Sequence, residues 1–233
     1  MPSRANRIEF VELDVTSKAS ITAACKAIKA PLAAIINNAG IATGSLADIL
    51  AANVHGPHDC TDAFLPLLDP THGRVVMISS ASGPNFVSKC SPERQAFFKD
   101  PSVTWDQIEG VMKEAAAGGA PGLPAHDDWF AYGLSKACVN QMTMLYAREH
   151  PAIKFNACSP GYIETDLTRP MADAQRKSPA ECGMKPPEAG AYAPVFLAMD
   201  GDVTSSGWYY GSDAKRSPLD RYRAPGDPEY DGV

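Results

Sequence analysis

Three short strand-like segments, each closed by a cluster of small polar residues, constrain the fold of this chain more than anything else in it. Leu32 to Ile36 runs into Asn37-Asn38-Ala39-Gly40, Gly73 to Ile78 into Ser79-Ser80, and Ile153 to Cys158 into Ser159-Pro160-Gly161. The first two, apolar runs bounded by Gly, Ser and Pro, read as strands buried on both faces, and such strands belong to parallel sheets covered by helices. Ligands of open α/β sheets collect at the carboxyl ends of their strands. The amides, hydroxyls and glycines at these three ends are therefore the first candidates for a site.

Between the second and third runs lies Ala131-Tyr132-Gly133-Leu134-Ser135-Lys136. On a helix, the four-residue spacing puts the Tyr132 phenol and the Lys136 ammonium on one face. A tyrosine ordinarily loses its proton near pH ~10 and a lysine near ~10.4. An ammonium that favours phenolate brings Tyr132 closer to working pH, which suits a proton donor to a carbonyl oxygen. Any surface helix can carry this spacing by chance, so the pair gains its meaning from the strand ends around it.

Taken together, Asn-Asn-Ala-Gly at 37–40, the Ser80 strand end, Tyr-x-x-x-Lys at 132–136 and Pro-Gly-x-x-x-Thr at 160–165 resemble the short-chain dehydrogenase/reductase superfamily. The resemblance runs from about residue 8 to about residue 213. Tyr132 stands 52 positions after Ser80, and an insertion there is similar to the monomeric carbonyl reductases, as is the stretch Lys185 to Ala191. Within the insertion, Ser91-Pro92 reads as a capped helix start, and Thr104 to Gln107 has capping-box spacing.

The resemblance implies an α/β fold with a doubly wound, Rossmann-like parallel sheet, NADP as cofactor, and a ketone, aldehyde or quinone as small-molecule substrate. It also implies a monomer. Tyr132 is implied as the proton donor, Ser80 as a hydrogen-bond partner of the substrate carbonyl, and Lys136 as the residue that holds the nicotinamide ribose and tunes Tyr132. Asn53 is implied to complete a proton relay. It lies in a helix expected over about Leu46 to Leu68, where a helix-packing amide is the other reading. Asp14 and Val15 match the pair that contacts adenine, although Asp14 also reads as a turn residue. Asn38, Ala39 and Gly40 match the backbone and ribose contacts, and Pro160, Gly161, Ile163, Glu164 and Thr165 the loop at the nicotinamide amide. Trp129 and Tyr162 are candidate walls for a flat or apolar substrate, or ordinary packing residues.

One part of the family pattern is missing. Members open with a strand and a glycine-rich turn that receives the pyrophosphate at a helix N-terminus, followed by a second strand and helix. Here residues 1–7 lead directly into Ile8 to Leu13, which the family would count as its third strand, so the first two β-α units are absent. In the strand order 3-2-1-4-5-6 this cuts the sheet through its middle. Either Ile8 to Leu13 pairs directly with the strand holding Ile35, or an apolar edge at Leu32 to Ile36 stays unpaired. The helix expected over Ser20 to Lys29 must then find new cover. The chain is expected to be less stable than its relatives, or to be a fragment whose start lies upstream.

The 233 residues, 45% of them hydrophobic, suffice for one core, and we expect a single domain with residues 214–233 as a surface tail. A net charge of -6 with scattered basic residues argues against nucleic acid, and no apolar stretch is long enough for a membrane helix. Cytoplasm is the default compartment. The six cysteines form no C-x-x-C pair and read as buried reduced thiols, with Cys158, near the presumed site, the one candidate for reactivity. His55 and His58 have helical spacing but no third ligand nearby, so no metal is expected. The loop between Asn38 and Asn53 is shorter than in the carbonyl reductases that the chain resembles, where it borders the substrate, and the resemblance therefore implies a more open cleft. Two functions fit: an NADPH-dependent carbonyl reductase, or a non-catalytic remnant acting as a binding module.

Overall fold

A computed structural model describes residues 8–232. Four parallel strands lie in the order β1-β2-β3-β4: β1 Ala34–Asn37, β2 Arg74–Ile78, β3 Lys154–Cys158 and β4 Trp208–Tyr210. The helices are α1 Lys18–Ala27, α2 Leu46–Leu50, α3 Gly56–Phe64, α4 Ser82–Val87, α5 Pro92–Lys99, α6 Trp105–Ala116, α7 Phe130–Glu149, α8 Arg169–Ala174, α9 Pro187–Gly190 and α10 Tyr192–Met199.

Alternation along the strands explains why helices cover both faces. Val75, Met77, Phe155, Ala157 and Tyr209 point into one core with Val54, Phe64, Leu134, Ala137 and Met142, the side of α3 and α7. Val76, Cys158 and Tyr210 point into the other, against Ala193 and Leu197 of α10. Both faces of β2 and β3 are thus covered, and the one buried polar side chain of β3, Asn156, is paired with Ser205 O and Trp208 N. The doubly wound parallel architecture expected from the sequence is what the structure has.

The expected third strand is not formed. Ile8 to Leu13 carries no strand, and Phe10 is 93% exposed. An extended segment becomes a strand only when a neighbour takes up its N–H and C=O groups, and among the described residues β1 pairs with β2 alone. Of the two outcomes weighed for this cut sheet, the unpaired edge is the one adopted, and Ile36 on it is 42% exposed. The helix α1 finds its cover against α3, burying Ile21 and Ala24.

The single helix expected from Leu46 to Leu68 is instead broken. A capping box formed by Ser45 and Asp48 starts α2, a π-helical turn spans Ala51–His55, and α3 follows to Phe64. Both capped starts in the insertion occur as read: Ser91 accepts from Arg94 N at the head of α5, and Thr104 and Gln107 form a reciprocal box on α6. His55 and His58 pack on Trp105 of that helix, the His58 ring stacked at 3.8 Å between centroids.

The stretch after Ala214 stays near the surface but is fastened along β4. Ser217 N donates to Tyr209 O, the Arg216 guanidinium lies 4.0 Å over the Trp208 ring, and Lys99 pairs with Asp220 at 2.6 Å. Arg223 is buried, bonded to Asp213, to Ser217 Oγ and to the main-chain oxygens of Ala224 and Asp227.

Candidate active site

The carboxyl ends of β1, β2 and β3 open onto a cavity of about 750 Å³. Asn38 and Gly40 border it after β1, Ser79 and Ser80 after β2, and Pro160, Gly161, Tyr162, Ile163 and Thr165 after β3. Tyr132 and Lys136 enter from the first turns of α7, with Trp129 just before it. Four motifs far apart in sequence therefore meet in one hollow, because parallel strands bring all their carboxyl ends to the same side.

Lys136 is the most constrained of these groups. The residue is 5% exposed, and its ammonium donates to the main-chain oxygen of Ile78 at 2.8 Å. Burial lowers its pKa from 10.5 to about 8, partly opposed by the neighbouring Cys158. The Nζ atom stands 5.4 Å from the centre of the Tyr132 ring. The Ser79 hydroxyl donates to the Lys136 carbonyl at 3.2 Å, so the end of β2 and the start of α7 are clasped twice.

Tyr132 departs from the sequence expectation. Its pKa is raised, because burial disfavours the phenolate more than a hydrogen bond with Ser80 favours it. Lys136 lies over the ring and spends a donor on Ile78, so its charge does not reverse that balance. The phenol keeps its proton at neutral pH. Trp129 sits edge-on to Tyr132 with centroids 6.3 Å apart.

Asn53 is buried behind the cavity, within the π-helical turn. Such turns shift residues out of the α-helical register and are frequent at functional sites. Its Oδ1 accepts from Ile41 N at 2.8 Å, and its Nδ2 donates to Ile41 O at 2.9 Å and to Ser135 Oγ at 3.0 Å. The side chain thus ties the loop after β1 to α7. Gly40 lies close against this clamp: a Cβ there would stand 3.0 Å from Asn53 Oδ1 and 3.8 Å from Lys136 Nζ.

After β3 the chain reverses at Gly161, whose φ of +95° suits only glycine, and Ile163 bridges to Lys185. Thr168 secures the loop by donating to Ile163 O and accepting from Thr165 N.

Four of the residues singled out in the sequence as cofactor contacts do not border this hollow. Asp14 is an exposed turn residue whose carboxylate binds Thr16, while Val15 packs against Gly56, where a Cβ would stand 2.9 Å from its side chain. With no strand at Ile8 to Leu13 to carry them along the sheet edge, neither reaches the cavity. Glu164 also turns away, into an ion pair with Arg169. Ala39 lies on the same loop as Asn38 and Gly40 without bordering the hollow.

Cys158 is fully buried, and its thiol is pushed far above the ordinary range despite Lys136 nearby, so it is inert rather than reactive. Four of the six cysteines are buried, Cys25 and Cys182 are partly exposed, and all are free.

Ser135 and Thr168 escaped the sequence reading, as did Pro194 and Val195 of α10, which close one side of the cavity. Ser135 was signalled only by standing next to Lys136. The α10 residues gave no signal, since that helix reads as apolar nearly throughout.

The family profile for short chain dehydrogenases matches residues 2–92. NADPH carbonyl reductase 1 of Homo sapiens is 31% identical over 211 residues, an alignment covering 82% of this chain and 72% of the human protein. The chain belongs to the short-chain dehydrogenase/reductase family. The same-named enzyme of Rattus norvegicus is 32% identical over 182 residues, and there the match spans 61% of the relative's length. Among solved structures, salutaridine reductase from Papaver somniferum is similar with a TM-score of 0.69 at 22% identity, covering 85% of this chain and 80% of that one. An NADPH-bound carbonyl reductase from chicken fatty liver gives 0.62 at 20% identity, covering 92% and 78%. These two likenesses concern the fold. Among the described residues, no helix is long and apolar enough to cross a membrane, and no cluster of three His, Cys, Asp or Glu is placed to hold a metal.

Proposed function

We propose that this chain is an NADPH-dependent carbonyl reductase that converts a ketone, aldehyde or quinone to the alcohol. The observation that carries the reading is the convergence of Ser80, Tyr132 and Lys136 on one hollow beside the Gly40 and Pro160–Thr165 loops. The curated relatives, named as NADPH carbonyl reductases, support it.

The residues present fit the nicotinamide and ribose half of the cofactor. A cavity of this size takes a bound ring and sugar, and the close approach at Gly40 leaves the backbone bare where a ligand would lie. Lys136 and Asn38 would hold the ribose, and the main chain from Pro160 to Thr165 the carboxamide. For the adenine half, Asp14 and Val15 are engaged elsewhere. Bound there, the reduced nicotinamide supplies the hydride.

The chain's own part is to place and protonate the carbonyl. Ser80 donates a hydrogen bond to the carbonyl oxygen and polarises it. Tyr132, held protonated by burial, delivers its proton to that oxygen as negative charge develops on it. The Lys136 ammonium then stabilises the phenolate left behind, so it must be charged during the step. Asn53 is a positioning residue: its clamp fixes Ile41, and with it the Gly40 loop, against α7. Trp129 and Tyr162 give the substrate two aromatic walls, suited to flat or apolar carbonyl compounds.

Titrating the purified chain with NADPH, read by cofactor fluorescence and by melting temperature, tests the first half. Saturable binding that raises the melting temperature is expected. Loss of ketone reduction in Tyr132→Phe, with NADPH binding retained, is expected for the second. Undiminished reduction by that variant would remove Tyr132 from the mechanism.

A further inference from the structure

A second hollow of about 410 Å³ adjoins the first and meets it at Ser80, Ser82, Gly161 and Tyr162. Its far wall is the stretch after β4, through Ser217, Arg221, Tyr222, Arg223 and Pro225. Among the described residues, every charged side chain lining it is basic: Lys185, Arg221 and Arg223.

These cations differ in how far they are neutralised. Arg223 is held by Asp213 and by main-chain oxygens, which makes it a fixed part of the wall. Arg221 lies 5.3 Å over the Tyr230 ring and shares the carboxylate of Asp220 with Lys99, at 3.2 and 2.6 Å, so among the described residues two cations stand against that anion. Lys185 has no carboxylate within ion-pair distance among the described residues. The hydroxyls of Ser82, Ser159, Ser212 and Tyr222 add donors around them. The hollow is thus positive and rich in donors beside a reaction centre whose aromatic walls are uncharged. An anion satisfies such a lining better than water does.

We propose that this hollow is the substrate's second subsite and selects carbonyl compounds that carry a carboxylate. The inference rests on the carbonyl-reductase reading, since it places the substrate's reacting oxygen at Ser80 and Tyr132. From there the shared wall at Tyr162 leads the rest of the molecule toward Arg221 and Lys185. A guanidinium meets a carboxylate in two parallel hydrogen bonds, so Arg221 is the main determinant and Lys185 contributes charge. Arg221 is 58% exposed at its side chain, which limits its effect to a few-fold in affinity.

The test compares 4-acetylbenzoate with its methyl ester, which differ in charge at one end of the same ketone. At low salt the acid is expected to have the higher kcat/KM, with the gap closing as salt screens the charges. In Arg221→Ala the acid-to-ester ratio falls about threefold to fivefold, through KM, and Arg221→Glu reverses the preference. Equal ratios in the parent chain and both variants would overturn the proposal, as would a loss of NADPH affinity in Arg221→Ala, which would assign the hollow to the cofactor. Binding of the two probes without turnover, followed by tryptophan fluorescence, separates the two readings. Tighter binding of the acid that Arg221→Glu abolishes, with neither probe reduced, would keep the subsite and sink the carbonyl-reductase reading. Equal binding of both probes would sink the subsite whatever the turnover.

Discussion

Replacing Lys136 by methionine tests the electrostatics at the centre of the site. The lysine is 5% exposed, and burial lowers its pKa from 10.5 to about 8. The folded-state value lies below the unfolded one, so between those two pH values the unfolded chain binds more protons. Stability from this group is therefore fully present above about pH 10.5 and is lost as the pH falls through about 8. A tenfold change in proton affinity between the folded and unfolded chains is worth ~1.4 kcal/mol, which makes the whole change about 3 kcal/mol. Methionine keeps most of the packing of the stem and does not titrate. It also leaves the Ile78 carbonyl without its donor, a loss of ~1.5–3 kcal/mol that offsets the relief of the buried charge. The parent and the variant should then be of similar stability near neutral pH, and the parent should gain about 3 kcal/mol over the variant by about pH 10.5. Urea unfolding of both chains at several pH values from neutral upward, followed by tryptophan fluorescence, measures the difference, in which titrations common to both cancel. A difference that stays flat across that range would refute the burial of a titrating ammonium.

Other consequences follow from the same geometry. Ketone reduction in Tyr132→Phe should fall by about 10²–10⁴-fold, read from steady-state NADPH consumption, while cofactor fluorescence still reports binding. The free chain's kcat/KM should decline as pH rises past about 8, because Lys136 then loses the charge that stabilises the Tyr132 phenolate, whereas Tyr132, raised by burial, does not limit this side of the profile. Asn53→Ala removes three hydrogen bonds and leaves buried partners behind; it should cost about 2–4 kcal/mol in urea unfolding. Thiol reagents should label Cys25 and Cys182 in the native chain and reach Cys158 only after unfolding, as mass spectrometry of labelled peptides would show.

The parts of this molecule that were legible in its sequence are those where one physical requirement dominates. Strands β1 and β2 were readable because burial leaves little choice but aliphatic residues, and β3 because its end carries the same small polar cluster. The starts of α5 and α6 were readable because orphan N–H groups call for Ser91 and Thr104. Ile8 to Leu13 misled because strand propensity describes a segment, whereas a strand requires a neighbour, and none is in place among the described residues. The π-helical turn at Asn53 was invisible for a related reason: its apolar periodicity continues across the break, and only the contact with Ile41 and Ser135 shows why the register shifts. Arg221 and Arg223 looked like a solvated tail since composition cannot reveal that Asp213 and Trp208 fasten the chain beside the site.

The reacting groups and the clamps that hold them come from a compact set of elements: the end of β2, the π-helical turn, the loop after β1 and the start of α7. Ser79 and Lys136 join β2 to α7, while Asn53 joins α7 to the Ile41 loop. None of these bonds involves Ile8 to Leu13 or the unpaired edge of β1. A disturbance confined to that edge would therefore leave the proton donor and its lysine in register. The adenine side has no comparable support, since Asp14 is committed to its own turn and Val15 to Gly56. Affinity for the adenine half of the cofactor and the chemistry thus rest on separate parts of the fold, while Lys136 serves both the ribose and the proton donor. A perturbation of the β1 edge, such as Ile36→Lys, should raise the KM for NADPH far more than it lowers kcat at saturation, and equal losses in both would show that the two halves are mechanically one.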